Sequence, residues 1–246
     1  MLFRKLFFLI LLGLVLTGCT HAPKKEQELE PEEIYLKAHQ LFKENEFTLS
    51  AEMFDSVERH HPYSLWASKG QIMAAYAYYK VNKYDEAITI LNRFIQLHPG
   101  NKNTPYAFYL KGISYFEQMS NIEREQKMSE EALKAFEALV ARYPNSIYTK
   151  DAEKKIILIT DHIAGKEMEV GRFYEKNKDF IPAMNRYQYV LLEYPETLQI
   201  PEAYYRLATC YYALGLKGKA QSILIKLRAD YPEVIWRQKL ENLLEG

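Results

Sequence analysis

Cysteine is scarce: Cys19 and Cys210 are the two in 246 residues. They allow at most one bridge, so a disulfide framework is excluded. No charge of either sign is in excess, with 32 Lys plus Arg against 32 Asp plus Glu, and there is no basic block. Phosphate backbones are bound chiefly through such positive excess, so nucleic acid is not an expected partner. Glycine and proline number ten each, too few for a linker-rich or disordered chain. Alternating apolar and polar runs of useful length are missing, as are Asn-Gly turns, which removes the signals of strands and hairpins. What is abundant is apolar surface (48% hydrophobic) and tyrosine, with 20 residues.

The chain starts with Arg4 and Lys5, followed by eleven apolar or Gly residues from Leu6 to Leu16. At ~1.5 Å per residue this run crosses about half of a ~30 Å hydrocarbon layer, so it reads as a signal peptide over residues 1–18. Leu16-Thr17-Gly18-Cys19 resembles the bacterial lipobox, in which the cysteine thiol takes a diacylglyceryl group and the new amino terminus an acyl chain. An ordinary secretory signal with an incidental cysteine is the other reading. Two or more acyl chains on Cys19 would make a lasting tether. Thr20 stands where an Asp retains many lipoproteins at the inner membrane, which favours the outer membrane by analogy. Residues 19–31 are polar and proline-flanked, as suits a flexible tether ahead of a folded body over 32–246.

Five aromatic-or-imidazole plus proline pairs recur: His61-Pro62, His98-Pro99, Tyr143-Pro144, Tyr194-Pro195 and Tyr231-Pro232. Their proline spacings of 37, 45, 51 and 37 lie in the range of helical repeats. Small residues stand 24 before four of these prolines (Ala38, Ala75, Gly171, Ala208) and 12 before the same four (Ser50, Ala87, Ala183, Ala220). They would let helix A and helix B of a pair approach closely. The third repeat fits with Gly112 and Ala132 once an insertion in 119–129 is allowed. The fourth is preceded by helical periodicity from Tyr148 to Asn177, read as one long helix, and residues 234–244 as a capping helix. The expected fold is all-α: a right-handed superhelix of five tetratricopeptide-like helix pairs with a C-terminal capping helix.

Asn92-Arg93-Phe94-Ile95 running to Pro99, Tyr106 to Gly112, Tyr76-Ala77-Tyr78-Tyr79-Lys80, and Tyr143-Pro144-Asn145-Ser146 continuing to Ala152 resemble the BamD family of outer-membrane assembly lipoproteins. The resemblance covers nearly the whole mature chain. It implies a non-enzymatic, periplasm-facing scaffold of the β-barrel assembly machinery, anchored to the outer membrane by lipid. Its implied partners are the periplasmic domains of BamA, other Bam lipoproteins, and the C-terminal segments of unfolded outer-membrane proteins; the sequence does not say whether BamC or BamE is among them. The insertion in 119–129 is shorter than in enterobacterial relatives. The family position implicated in BamA contact matches Arg186; the competing reading of Arg186 is a solvated helix charge. Other envelope lipoproteins of this repeat type, pilotins for pilus secretins or recruiters of peptidoglycan hydrolases, share the lipobox and repeats but lack the Tyr-Pro-Asn-Ser segment joined to a long helix.

The helix A positions three before, one after and four after each small residue form a stripe expected to line the concave face. They are Tyr35, His39 and Phe42; Ile72, Tyr76 and Tyr79; Tyr109, Ile113 and Phe116. In repeat four the same positions are Met168, Arg172 and Glu175, so the stripe turns from aromatic to charged. Such stripes also serve as core. Nine apolar, aromatic or His residues in a row exceed what helix pairing needs, because Leu41, Tyr78 and Tyr115 fill the inward faces. The stripe predicts a groove for an extended peptide such as the aromatic-rich C-terminal segment of a client barrel protein.

Catalysis is not expected. His60 and His61 are adjacent, so one helix face cannot offer both to a metal, and a helix C-terminus suits them better. Glu32-Glu33 and Glu130-Glu131 suit helix starts. No phosphate-binding loop, nucleophile elbow or Cys and His grouping is present, and neither metal nor cofactor is expected beyond the lipid on Cys19. Cys210 reads as a buried small hydrophobe.

Overall fold

The computed structural model describes residues 29–119 and 126–245. Cys19, the signal peptide, most of the tether and the middle of the 119–129 insertion lie outside them. The described residues form eleven α-helices and no strand. They are α1 (Pro31–Lys43), α2 (Phe47–His60), α3 (Leu65–Lys80), α4 (Tyr84–Leu97), α5 (Thr104–Phe116), α6 (Lys127–Arg142), α7 (Thr149–Lys176), α8 (Phe180–Glu193), α9 (Ile200–Ala213), α10 (Lys217–Asp230) and α11 (Ile235–Glu245). Each packs on its neighbours in the chain, and α11 closes the stack against both α9 and α10.

Proline sets the period. A proline ring clashes with an α-helical residue in front of it, and α2, α4, α6, α8 and α10 all end there. The residue before each proline (His61, His98, Tyr143, Tyr194, Tyr231) has φ between −128° and −138° and ψ between 51° and 60°. Its N–H still bonds back into the helix, so no donor is stranded. Two residues past the proline, the Ser64, Asn101 and Ser146 side chains accept the N–H of Trp66, Asn103 and Tyr148 at 3.1, 2.9 and 3.3 Å. The Thr104 and Thr149 hydroxyls close two of these corners by donating to the carbonyls of His98 and Tyr143 at 2.7 and 2.8 Å. Tyr-Pro-Asn-Ser is thus one corner of this kind, and the Tyr143 hydroxyl joins it to the preceding corner by donating to the Pro99 carbonyl at 3.1 Å.

At the opposite end of each pair the chain reverses through a left-handed residue seventeen positions before the proline: Asn45, Asn82, Lys178 and Gly215, with φ of 65°, 59°, 65° and 76°. In the third pair the 119–129 insertion takes its place.

The two series of small residues lie where helix A and helix B touch. Ala38, Ala75 and Ala208, and Ser50, Ala87, Ala132, Ala183 and Ala220, are fully buried, and the Ser50 hydroxyl is satisfied by the Ala38 carbonyl at 2.8 Å. Facing them, eight before each proline, are the buried Phe54, Leu91, Phe136, Tyr187 and Leu224. Where that residue is Phe136 or Tyr187, helix A carries glycine. A Cβ on Gly112 would stand 2.6 Å from the Phe136 ring, and one on Gly171 closer still to Tyr187.

Helix α7, with 28 residues, is about 42 Å long at ~1.5 Å per residue. Its first half packs on α6 through Ile159 and Ile163, and its second half pairs with α8 through Met168 and Gly171. Between repeats, Arg93 of α4 reaches α2, pairing with Asp55 and, at 2.9 Å, with Glu58. Arg93 within Asn92-Arg93-Phe94-Ile95 therefore holds neighbouring B helices together.

Gly112→Ala is expected to cost about 1–3 kcal/mol, the usual penalty of overpacking. Lys178→Asn, which relieves a lysine of its left-handed backbone, should stabilise by up to about 1 kcal/mol. Urea unfolding monitored by circular dichroism measures both.

Candidate peptide-binding face

The corners bring the A helices of the first three pairs side by side, and their aromatic side chains meet. Tyr35 of α1 stacks on His39 (6.5 Å between centroids) and meets Phe54 and Trp66 at 5.0 and 4.8 Å. Phe42 of α1 meets Phe47 at 5.0 Å and stacks on Tyr76 of α3 at 5.8 Å. Tyr76 stacks on Tyr79 at 6.4 Å, and Tyr79 meets Tyr84 at 5.7 Å. On α5, Tyr109 stacks on Tyr148 at 5.0 Å, and Tyr106 meets the same ring at 5.4 Å. Lys155 of α7 lies 5.3 Å from the centre of the Phe116 ring.

Seven of the nine stripe residues (Tyr35, His39, Phe42, Tyr76, Tyr79, Tyr109, Phe116) are half-buried, with part of each side chain facing solvent. Ile72 and Ile113 differ. Each is 8% exposed and belongs to the core, packed among the rings on either side of it. An aliphatic side chain is shorter than the flanking tyrosines, so these two isoleucines support the face and do not line it. Met168 is fully buried as well, in the core shared by α7 and α8.

The stripe did not reveal Trp66, Phe47, Tyr84, Tyr106 or Tyr148. Trp66, Phe47 and Tyr84 lie in the first turns of their helices, and Tyr148 in the corner before α7, outside the helix A offsets. Five hydroxyls converge on the α3 and α5 part of the face. Burial first, and then the nearness of Tyr76, Tyr148, Tyr109 and Tyr79, push the Tyr106 phenol above its ordinary range. Tyr109 donates to Asp151 at 2.7 Å, and Asp151 also pairs with Lys155 at 3.2 Å. The Tyr109 hydrogen bond leads the causes that hold the Asp151 carboxyl below the usual range. Among the described residues, the hydroxyls of Tyr76, Tyr79 and Tyr106 make no hydrogen bond.

The equivalent face of repeats four and five is charged and internally paired. Arg172 bonds Glu169 at 2.6 Å and Glu202 at 2.9 Å; Arg206 bonds Glu202 at 2.5 Å and Glu175 at 3.0 Å. Glu175 further accepts from the buried Tyr187 at 2.7 Å and from Thr209 at 3.0 Å. Cys210 beneath it is buried, and burial followed by the Glu175 charge pushes its thiol up to about 12. It is a packing residue with little thiolate character.

Arg186 of α8 is exposed at its tip and paired with Glu167 of α7 at 2.8 Å. It lines a cleft of about 270 Å³ with Tyr174, Pro182, Asn185 and Tyr189. His60 and His61 close α2: His60 Nδ1 bonds the Ser56 carbonyl and His61 Nε2 the Leu29 carbonyl, both at 2.9 Å. Among the described residues no group of three or more His, Cys, Asp or Glu is placed to hold a metal, and no helix is long and apolar enough to cross a membrane.

Together these features define a helical-repeat scaffold with an aromatic face on its first three pairs. Residues 27–227 match the YfiO family, described as outer membrane lipoprotein. The outer membrane protein assembly factor BamD of Caulobacter vibrioides is 38% identical over 96% of this chain and 78% of its own. BamD of Rickettsia prowazekii is 35% identical over 97% of this chain and 95% of its own. Among solved structures, a TPR repeats protein from Bacteroides fragilis is 13% identical over 88% of this chain and 98% of its own, with a TM-score of 0.49. The chain belongs to the YfiO family, the family of the assembly factor BamD.

Tyr109→Phe is expected to return the Asp151 carboxyl toward its ordinary range, read by carboxyl NMR titration. A carboxylate held low when folded stabilises the fold above its unfolded pKa, and the effect is lost as pH falls through the folded value. Any stability advantage over Tyr109→Phe should therefore shrink as pH falls through that range.

Proposed function

We propose that this protein is a lipid-anchored, periplasm-facing scaffold of outer-membrane protein assembly. Its Cys19 carries the diacylglyceryl and N-acyl groups. The aromatic face of α1, α3 and α5 takes extended segments of client barrel proteins, and the α7–α8 surface around Arg186 docks on the periplasmic domains of BamA. Membership of the BamD family supports the setting. The observation that carries the peptide reading is the row of half-buried rings with the unpaired hydroxyls of Tyr76, Tyr79 and Tyr106.

A ring offers large apolar contact at little rotamer cost, and a phenol can donate to or accept from a peptide backbone without reading its side chains. Such a face suits clients whose sequences vary but whose terminal strands are rich in aromatics. The Glu167 pair bears on the second contact. Arg186 must share its guanidinium with Glu167 or exchange one carboxylate for another on docking, and a charged residue at an interface rim governs mainly the rate of association and its salt dependence.

Tyr79→Ala with Phe116→Ala should weaken capture of an aromatic-ended C-terminal peptide at least tenfold in fluorescence anisotropy while the fold persists by circular dichroism. Unchanged affinity with a lowered melting temperature would show both rings to be core. Arg186→Gln should slow association with the isolated BamA periplasmic domains, and Glu167→Gln, which keeps the arginine and frees it, should not. Equal rates for wild type and Arg186→Gln would remove the α8 contact. Intact mass spectrometry of the membrane-extracted protein reads the lipid on Cys19.

A further inference from the structure

The five corners are alike in backbone but not in what they show to solvent. Three residues past the proline stand Leu65, Lys102, Ile147, Leu198 and Ile235; one residue past it stand Tyr63, Gly100, Asn145, Glu196 and Glu233. The first corner alone joins an aromatic side chain to an apolar one. Tyr63 is 101% exposed and Leu65 85%. Trp66 follows them, half-buried against Tyr35, with the Lys69 ammonium 4.3 Å from its ring centre.

The segment just ahead of α1 also meets this corner. The Leu29 carbonyl is held by His61, the residue before Pro62, and Leu29 is itself partly exposed. Leu29 is ten residue steps from Cys19, a span of at most roughly 33–36 Å at ~3.3–3.6 Å per residue. The A-to-B turn of the same pair, at Asn45 and Glu46, lies at the far end of α2, about 21 Å away at ~1.5 Å per residue over its 14 residues.

We propose that the first corner is a membrane-contact edge. Tyr63 and Leu65, with the rim of Trp66, enter the headgroup layer of the phospholipid surface that holds the acylated Cys19. The inference rests on the lipid-anchored reading given above and goes beyond it by orienting the folded body: the corner edge of pair one faces the bilayer, and its A-to-B turn faces away. Tyr and Trp favour this interface because one end of each ring system is apolar and the other polar. Arg59 and Lys69 on one side and Glu30, Glu32 and Glu33 on the other leave the corner without a cationic excess, so the contact is apolar and not an attraction to anionic lipid.

Two single-cysteine labels test this on the full acylated chain, because Cys19 is blocked by lipid and Cys210 is buried. Tyr63→Cys and Glu46→Cys, each carrying an environment-sensitive nitrobenzoxadiazole dye, are reconstituted into phosphatidylcholine vesicles with or without nitroxide-bearing lipid. The expected result is a blue-shifted emission at position 63 that nitroxide lipid quenches, a water-like unquenched emission at position 46, and loss of much of the quenching at 63 on adding Leu65→Ser. Protein that floats with the vesicles while the label at 63 behaves like the one at 46 overturns this inference alone. Protein that does not float overturns the anchor and this inference together.

Discussion

Everything in this fold depends on the clash between a proline ring and the residue in front of it. That clash stops five helices at the same point of their repeat and sends the chain through nearly the same backbone angles each time. Because the exit geometry repeats, the A helices of successive pairs are set side by side. Only then can Phe42 of one pair stack on Tyr76 of the next. The close approach of helix A and helix B is the second half of the same constraint: alanine or glycine on A receives the buried side chain eight before the proline on B. Where that side chain is Phe136 or Tyr187 the partner is Gly112 or Gly171, whose Cβ would overlap the ring, whereas Phe54 in the first pair is received by Ala38.

Much of this was legible from residue types alone, because proline and small residues act through local sterics that need no knowledge of the rest of the chain. The left-handed turn positions were not. Two asparagines, a lysine and a glycine share a backbone conformation without sharing a side-chain chemistry, and only the proline register aligns them. The aromatic face was legible in direction but not in depth. Helical spacing says which way Ile72 and Ile113 point, whereas their burial depends on the length of the tyrosine and phenylalanine rings beside them. Arg186 shows the same boundary. Its partner Glu167 stands on another helix, nineteen residues away in the chain, where no local spacing rule for ion pairs reaches.

The ion pairs of Arg172 and Arg206 with Glu202 and Glu175 are partly buried, so removing one partner would leave the other's charge shielded and uncompensated. Their effect is also on the surface. Glu175 receives Arg206, Tyr187 and Thr209, so its carboxylate is already satisfied, and Arg172 is held between Glu169 and Glu202. A peptide laid on this half would have to displace formed charge-assisted bonds or leave its own amides unpaired, and either is costly.

The N-terminal half imposes no such cost. Its rings would lose only water on contact, and the phenols of Tyr76, Tyr79 and Tyr106, which make no hydrogen bond among the described residues, would be open to peptide amides under the reading proposed above. The boundary between the two regimes falls at α7. Asp151 and Lys155 in its first two turns belong to the aromatic side, the carboxylate bonded by Tyr109 and the ammonium placed over Phe116. Glu169, Arg172 and Glu175 in its last turns belong to the charged side. One continuous helix of 28 residues carries both, whereas two short helices with a corner between them would have broken the register of neighbouring A helices at that point. The extra length of repeat four therefore separates the aromatic surface from the one whose charges are already paired, while holding the two in fixed relation.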